Sequence, residues 1–224
     1  MVSMTDAIVS GYSFQGPRHG ADRAVLLAHG AGSDRNGAAL CAVGDALAAA
    51  GVPSLRFDYP YRSAGRRAPD RPPVLDAATR EAAAELARRT GLAPDRLVLG
   101  GRSMGGRVCS LVAAAGPDNP APVPALGLAL LGYPLHPMGK PEQRRDTHFR
   151  YLTMPVLFAS GTRDSLAPRP ELTRSARKVK GPVTMYWIDT ADHGFRPLKS
   201  SGRTAAAVLT DVATEVVNWV VSLT

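Results

Sequence analysis

Cysteine and lysine are scarce in this 224-residue chain, aromatic residues make up only 6%, and no long apolar run occurs. Each shortage excludes something. The two cysteines, Cys41 and Cys109, match no zinc-ligand spacing. Both fall in Ala-rich apolar segments expected to be separate helices, so they read as buried, reduced thiols. No stretch approaches the roughly 20 continuous apolar residues that a membrane span needs. Met1 to Gln15 show no basic start followed by a long apolar run, so no secretory signal is expected, and the expected location is cytoplasmic. No internal repeat and no metal-ligand motif is visible.

What the chain has in excess is arginine: 23 of its 27 basic residues, with a net charge of +8. The arginines are scattered, with no run of five or more basic residues and no aromatic-interleaved RNA motif. A solvated Arg-rich surface is therefore expected rather than a nucleic-acid interface. Hydrophobic residues make up 45%, enough for a sizeable core, and the length fits a single domain over residues 1–224.

Short apolar runs closed by glycine or a polar residue alternate with Ala-rich helical segments. Ala24–Ala28, Val52–Phe57, Leu97–Gly101, Ala125–Leu131, Pro155–Ser160 and Val183–Ile188 read as strands. Helices are expected over Asn36–Ala50, Val74–Thr90, Ser103–Ala115, Arg169–Val179 and Ala205–Ser222, with an Arg/Pro/Gly loop over Arg62–Pro73. This alternation predicts an α/β fold with a mostly parallel central sheet and helices on both faces. In such sheets the chemistry sits beyond the carboxyl ends of the strands.

Gly101-Arg102-Ser103-Met104-Gly105 fits G-x-S-x-G between an apolar strand and an Ala-rich helix, the setting in which a serine nucleophile occupies a strained turn. A serine hydroxyl needs a base, and His193, just past the last strand, is the histidine placed to serve. The base needs a carboxylate to hold its tautomer. Asp164, at the turn after the Pro155–Ser160 strand, is the candidate acid. Asp189 is a weaker alternative, and Asp192 is too close to the base in sequence. The backbone N–H groups of Met104 and Ala31, with Gly32 as fallback, are the candidate oxyanion donors. His29 is expected to brace its loop. Arg62 and Arg102 are candidate contacts for a substrate anion, with Arg66 and Arg67 near the first of these, although surface arginines are the plainer reading.

Six segments taken in order resemble the α/β-hydrolase superfamily. They are Leu27–Gly32, Phe57–Pro60, Gly101–Gly106, Leu131–Pro134, Ser160–Asp164 and Asp192–Phe195. The resemblance runs from about residue 20 to the end. It is nearest to the small branch related to dienelactone hydrolase, which includes predicted hydrolases similar to a subunit of the NSL chromatin complex. It implies Ser103 as nucleophile, Asp164 as acid, His193 as base, and Ala31 and Met104 as oxyanion donors. Dienelactone hydrolase itself uses a cysteine nucleophile, so Ser103 does not carry dienelactone chemistry over. Only Gly132–Met154 separates two strands where many members insert a cap, so a minimal cap or none is expected. The expected activity is cofactor-independent cleavage of a carboxylester or thioester of small-molecule acyl substrates, by a monomer or homodimer. No nucleic-acid, membrane or metal partner is expected. The competing expectation is a non-catalytic scaffold of the same fold, against which all three triad positions hold competent residues.

Overall fold

The computed structural model describes residues 11–224. Seven strands form one sheet in the order β1-β3-β2-β4-β5-β6-β7. They are β1 (Tyr12–Gln15), β2 (Ala24–Ala28), β3 (Ser54–Phe57), β4 (Leu97–Arg102), β5 (Gly127–Leu131), β6 (Val156–Gly161) and β7 (Val183–Ile188). All neighbours are parallel except β1, which runs antiparallel to β3 at the edge. The parallel neighbours β2 and β4 have their carboxyl ends side by side at the centre of the sheet, and the chain winds outward from them in opposite directions. A crevice is expected at such a point.

The helices are α1 (Ala38–Ala49), α2 (Pro60–Ser63), α3 (Pro72–Thr90), α4 (Met104–Ala113), α5 (Arg169–Ala176) and α6 (Ala205–Ser222). Successive strand side chains point to opposite faces, and the core divides accordingly. Ala24, Leu26 and Ala28 of β2 join Leu86 of α3 and Val112 of α4 on one face. Val25 and Leu27 join Leu40 of α1 and Val216 of α6 on the other. Both faces are covered, which is why the central strands are apolar throughout rather than alternating.

By length and mean hydropathy α6 would reach across a membrane. Here its buried residues, including Val208, Val212, Val216 and Val220, pack into the core beside α1.

The expected strands and long helices all form, with ends shifted by up to about three residues. Two elements were not expected. The edge strand β1 has only four half-buried residues. The one-turn helix α2 straddles the start of the expected Arg/Pro/Gly loop, with Pro60 at its first position. The segment 132–154 carries no helical domain, only a 3-10 turn at Thr147–Tyr151. It is bolted down rather than free: Phe149 is fully buried, 5.1 Å from the Tyr133 ring, and the buried Asp146 carboxylate accepts from Ser175 Oγ at 2.5 Å and Lys178 Nζ at 2.9 Å.

Candidate active site

Ser103 sits between β4 and α4 with φ 51° and ψ −114°, a conformation that strains any residue with a side chain. The turn closes because Gly101 and Gly105 flank it. A methyl group built at either position would overlap the carbonyl oxygen of Ala28 on β2. Glycine is therefore required by the close approach of three backbones, and that approach lifts Ser103 above the sheet.

The carboxyl ends of three strands deliver three side chains to one line. Ser103 Oγ lies 3.0 Å from His193 Nε2, and His193 Nδ1 lies 2.8 Å from Asp164 Oδ2. Asp164 is 2% exposed, and its other oxygen accepts the Leu166 N–H at 2.9 Å. Asp192 fixes the loop that carries His193 by accepting from the N–H groups of Gly194 and Arg196 at 2.8 and 3.0 Å. Asp189 instead accepts weakly from Thr162 Oγ1, at 3.4 Å. Of the three acids weighed from sequence, only Asp164 meets the histidine.

His29 is fully buried, and burial holds its pKa below the ordinary histidine value. The neutral ring has both nitrogens in use. Nε2 accepts the Tyr59 N–H at 3.1 Å, so Nδ1 carries the proton and donates to the Gly30 carbonyl at 2.8 Å. The Ser33 N–H adds a second bond to the same carbonyl, at 3.1 Å. Gly30 C=O and Ala31 N–H belong to one trans peptide, whose two groups point opposite ways. Holding the carbonyl thus aims the Ala31 N–H away from His29. The Tyr61 hydroxyl donates to Ala31 C=O at 2.8 Å and fixes the next peptide too. Sequence reading missed Tyr61; its signal is only its place three residues past Asp58. Neither Ala31 N–H nor Met104 N–H, the first of α4, donates to any acceptor among the described residues. Both are open to an external oxyanion.

Arg62 and Arg102, the candidate contacts for a substrate anion, are both engaged by groups of the protein itself. Arg62 pairs with Asp34 at 3.3 Å. The Arg102 guanidinium lies 4.4 Å from the Phe195 ring and donates to the Leu131 carbonyl at 3.2 Å. Burial pushes its pKa down to about 10, with Asp164 and Asp192 pulling the other way. Arg102 is a tie between the serine turn, the end of β5 and the histidine loop. Arg66 pairs with Asp70.

Cys41 and Cys109 are unbridged, on α1 and α4 respectively. Burial raises the Cys109 thiol to about 12, so it is not a thiolate nucleophile. No cluster of three or more metal-ligating side chains occurs among the described residues.

A family model described as an alpha/beta hydrolase domain matches residues 21–221. Solved structures share the fold at low identity. An alpha-beta serine hydrolase homologue from Coxiella burnetii superposes with TM-score 0.72 at 15% identity, over 97% of this chain and 98% of that one. Est1E from Butyrivibrio proteoclasticus, with ferulic acid bound, gives 0.71 at 15% identity over 95% and 94%. The butyrate-bound esterase Est2 from Thermogutta terrifontis gives 0.69 at 16% identity over 94% and 88%.

Proposed function

Since the chain belongs to the α/β-hydrolase family, we propose that it is a serine hydrolase cleaving carboxylesters or thioesters through an acyl-enzyme on Ser103. One observation carries the reading: Ser103, His193 and Asp164 stand in hydrogen-bond line at 3.0 and 2.8 Å. The structural neighbours support it, since they include esterases, one with butyrate and one with ferulic acid bound. Both ligands are carboxylic acids, the product side of ester cleavage.

The chemistry follows from the geometry. His193 Nδ1–H donates a hydrogen bond to Asp164 and keeps its proton, which leaves Nε2 as the acceptor for the Ser103 hydroxyl proton. Ser103 Oγ bonds to the substrate carbonyl carbon as that proton moves to Nε2. The carbonyl π electrons move to oxygen, and the oxyanion is met by the N–H groups of Ala31 and Met104. Such donors contribute about 3 kcal/mol each in comparable sites. The tetrahedral intermediate collapses, and the alkoxide or thiolate leaves with the proton from Nε2. Water then gives a proton to the same nitrogen, attacks the acyl carbon and restores Ser103.

A fluorophosphonate probe tests the reading. The expected result is a single covalent adduct on the peptide containing Ser103, absent in Ser103→Ala. Failure to label the folded wild-type protein would favour the scaffold of the same fold.

A further inference from the structure

Among the described residues, twelve arginines are buried or half-buried, and ten of them are engaged by a carboxylate, a backbone carbonyl or an aromatic ring. Arg23, Arg35, Arg62, Arg80, Arg89 and Arg144 each have an acid partner. Arg56 donates to the Arg35 carbonyl, and Arg102 stacks on Phe195. The two exceptions are Arg107 and Arg145, whose guanidinium groups make no hydrogen bond, ion pair or ring contact. The Arg107 Nε is buried with no acceptor at all. A buried donor left unmet costs free energy, and where Arg35, Arg56 and Arg62 share that unmet Nε but pair through their other nitrogens, Arg107 has no such partner. The two lie near enough to repel: Arg145 is held below the ordinary guanidinium value by burial and then by Arg107.

Their place in the fold gives the feature a use. Arg107 N donates to Ser103 O at 3.0 Å, one helical turn along α4, which separates their Cα atoms by roughly 6 Å. Arg145 follows β5 on the segment 132–154, its carbonyl accepting the Tyr133 hydroxyl at 2.5 Å. Arg107 also stands in the wall of a cleft of about 640 Å³ between α3, α4 and the turn at Thr147–Tyr151. Leu75, Val108, Leu111 and Tyr151 make the apolar part of that wall. His148, also in the wall, is neutral and gives no counter-charge, its Nε2 bonded to Ser110 Oγ at 2.8 Å. Of the two acids in the wall, Asp76 is paired with Arg80, and Asp118 makes no ion pair with Arg107.

We propose that Arg107, with Arg145 beside it, binds a carboxylate on the substrate, so that the preferred ester carries a free acid at the end of an apolar acyl chain. This rests on the serine-hydrolase reading and specifies its substrate class. The acid sits on the Arg107 guanidinium, where a two-point hydrogen bond matches carboxylate geometry. Ser103 lies one helical turn back along α4, a span that a short acyl chain bridges.

The test compares 4-nitrophenyl hydrogen suberate with 4-nitrophenyl methyl suberate, whose methyl cap removes the charge, with release of 4-nitrophenol as the readout. The expected result is a wild-type kcat/KM for the acid at least about tenfold above that for the methyl ester, falling with added salt, as a charge-assisted contact gives. The ratio collapses towards one in Arg107→Gln and falls in Arg145→Gln, with the loss in KM rather than kcat. Arg145→Gln keeps the test open if Arg107→Gln does not fold. A wild-type ratio near one, or a ratio unchanged in both variants, overturns the proposal. If Ser103 does not label with fluorophosphonate, the hydrolase reading fails separately. Calorimetric binding of suberate monomethyl ester, weakened in Arg107→Gln, then tests the anion site by itself, and no heat of binding in wild type overturns it.

Discussion

At the scale of single residues, the site is held by groups that do no chemistry. His29 is the clearest case. Its neutral ring joins the Tyr59 N–H to the Gly30 carbonyl and thereby aims the Ala31 N–H. Replacing His29 by Ala removes both bonds and leaves the Tyr59 N–H buried without an acceptor, an expected cost of about 1–3 kcal/mol. The same change frees the Gly30–Ala31 peptide to turn, so kcat is expected to fall by about tenfold or more with KM little changed. Urea unfolding and steady-state kinetics measure the two effects. A variant with normal kcat and reduced stability would reduce His29 to a core brace. Residue identity was legible in sequence where chain order restricts the choice, as it does for Ser103, Asp164 and His193. It was not legible for the arginines. Whether an arginine is free depends on acids far off in sequence, such as Asp34, 28 residues from Arg62.

At the scale of elements, the apolar runs of β2, β4, β5 and β6 are fully buried strands whose length and glycine stops mark them in the sequence. The unexpected elements are those with weak local signals. The edge strand β1 takes its place by pairing with β3, and Arg89 of α3 covers the rings of Tyr12 and Phe14. A four-residue stretch has too little periodicity to reveal that in advance. Three loops after strands must also keep a fixed relation, and Arg102 links them. Gly132, with φ 59°, leaves no room for a side chain beside the Arg102 guanidinium, and Phe195, with φ 61°, stacks on it. Arg102→Met keeps much of the bulk but removes the donors to Leu131. The expected outcome is a kcat lowered by roughly tenfold as the His193 loop loses its anchor, with partial recovery in Arg102→Lys. Equal activity in wild type and Arg102→Met would contradict the role.

At the scale of the whole molecule, stability is tied to pH through a buried histidine. His148 is held at about 4 by burial first and by Arg107 second. Ser110 Oγ donates to the Arg107 carbonyl, so the proton on His148 Nε2 is the one shared with that hydroxyl. The folded pKa lies below the unfolded value of 6.5, so the unfolded chain takes up the proton first as pH falls. The histidine therefore costs nothing above about pH 6.5. Stability is then lost between about 6.5 and 4, by up to about 3 kcal/mol at 1.36 kcal/mol per pH unit. In urea unfolding the wild type should lose more stability between pH 7 and pH 4.5 than His148→Gln. Parallel losses in the two proteins would contradict the assignment.

The central claim is that Ser103 carries the acyl group. Rapid mixing of the protein with a 4-nitrophenyl ester reads it directly. If deacylation limits turnover, as it commonly does for activated esters in acyl-enzyme mechanisms, the first turnover releases a burst of 4-nitrophenol equal to the protein concentration. Intact-mass analysis of the quenched mixture then shows one acyl group on Ser103. The expected result is that stoichiometric adduct in the wild type and none in Ser103→Ala. An acyl group found on another residue, or turnover undiminished in Ser103→Ala, would contradict it.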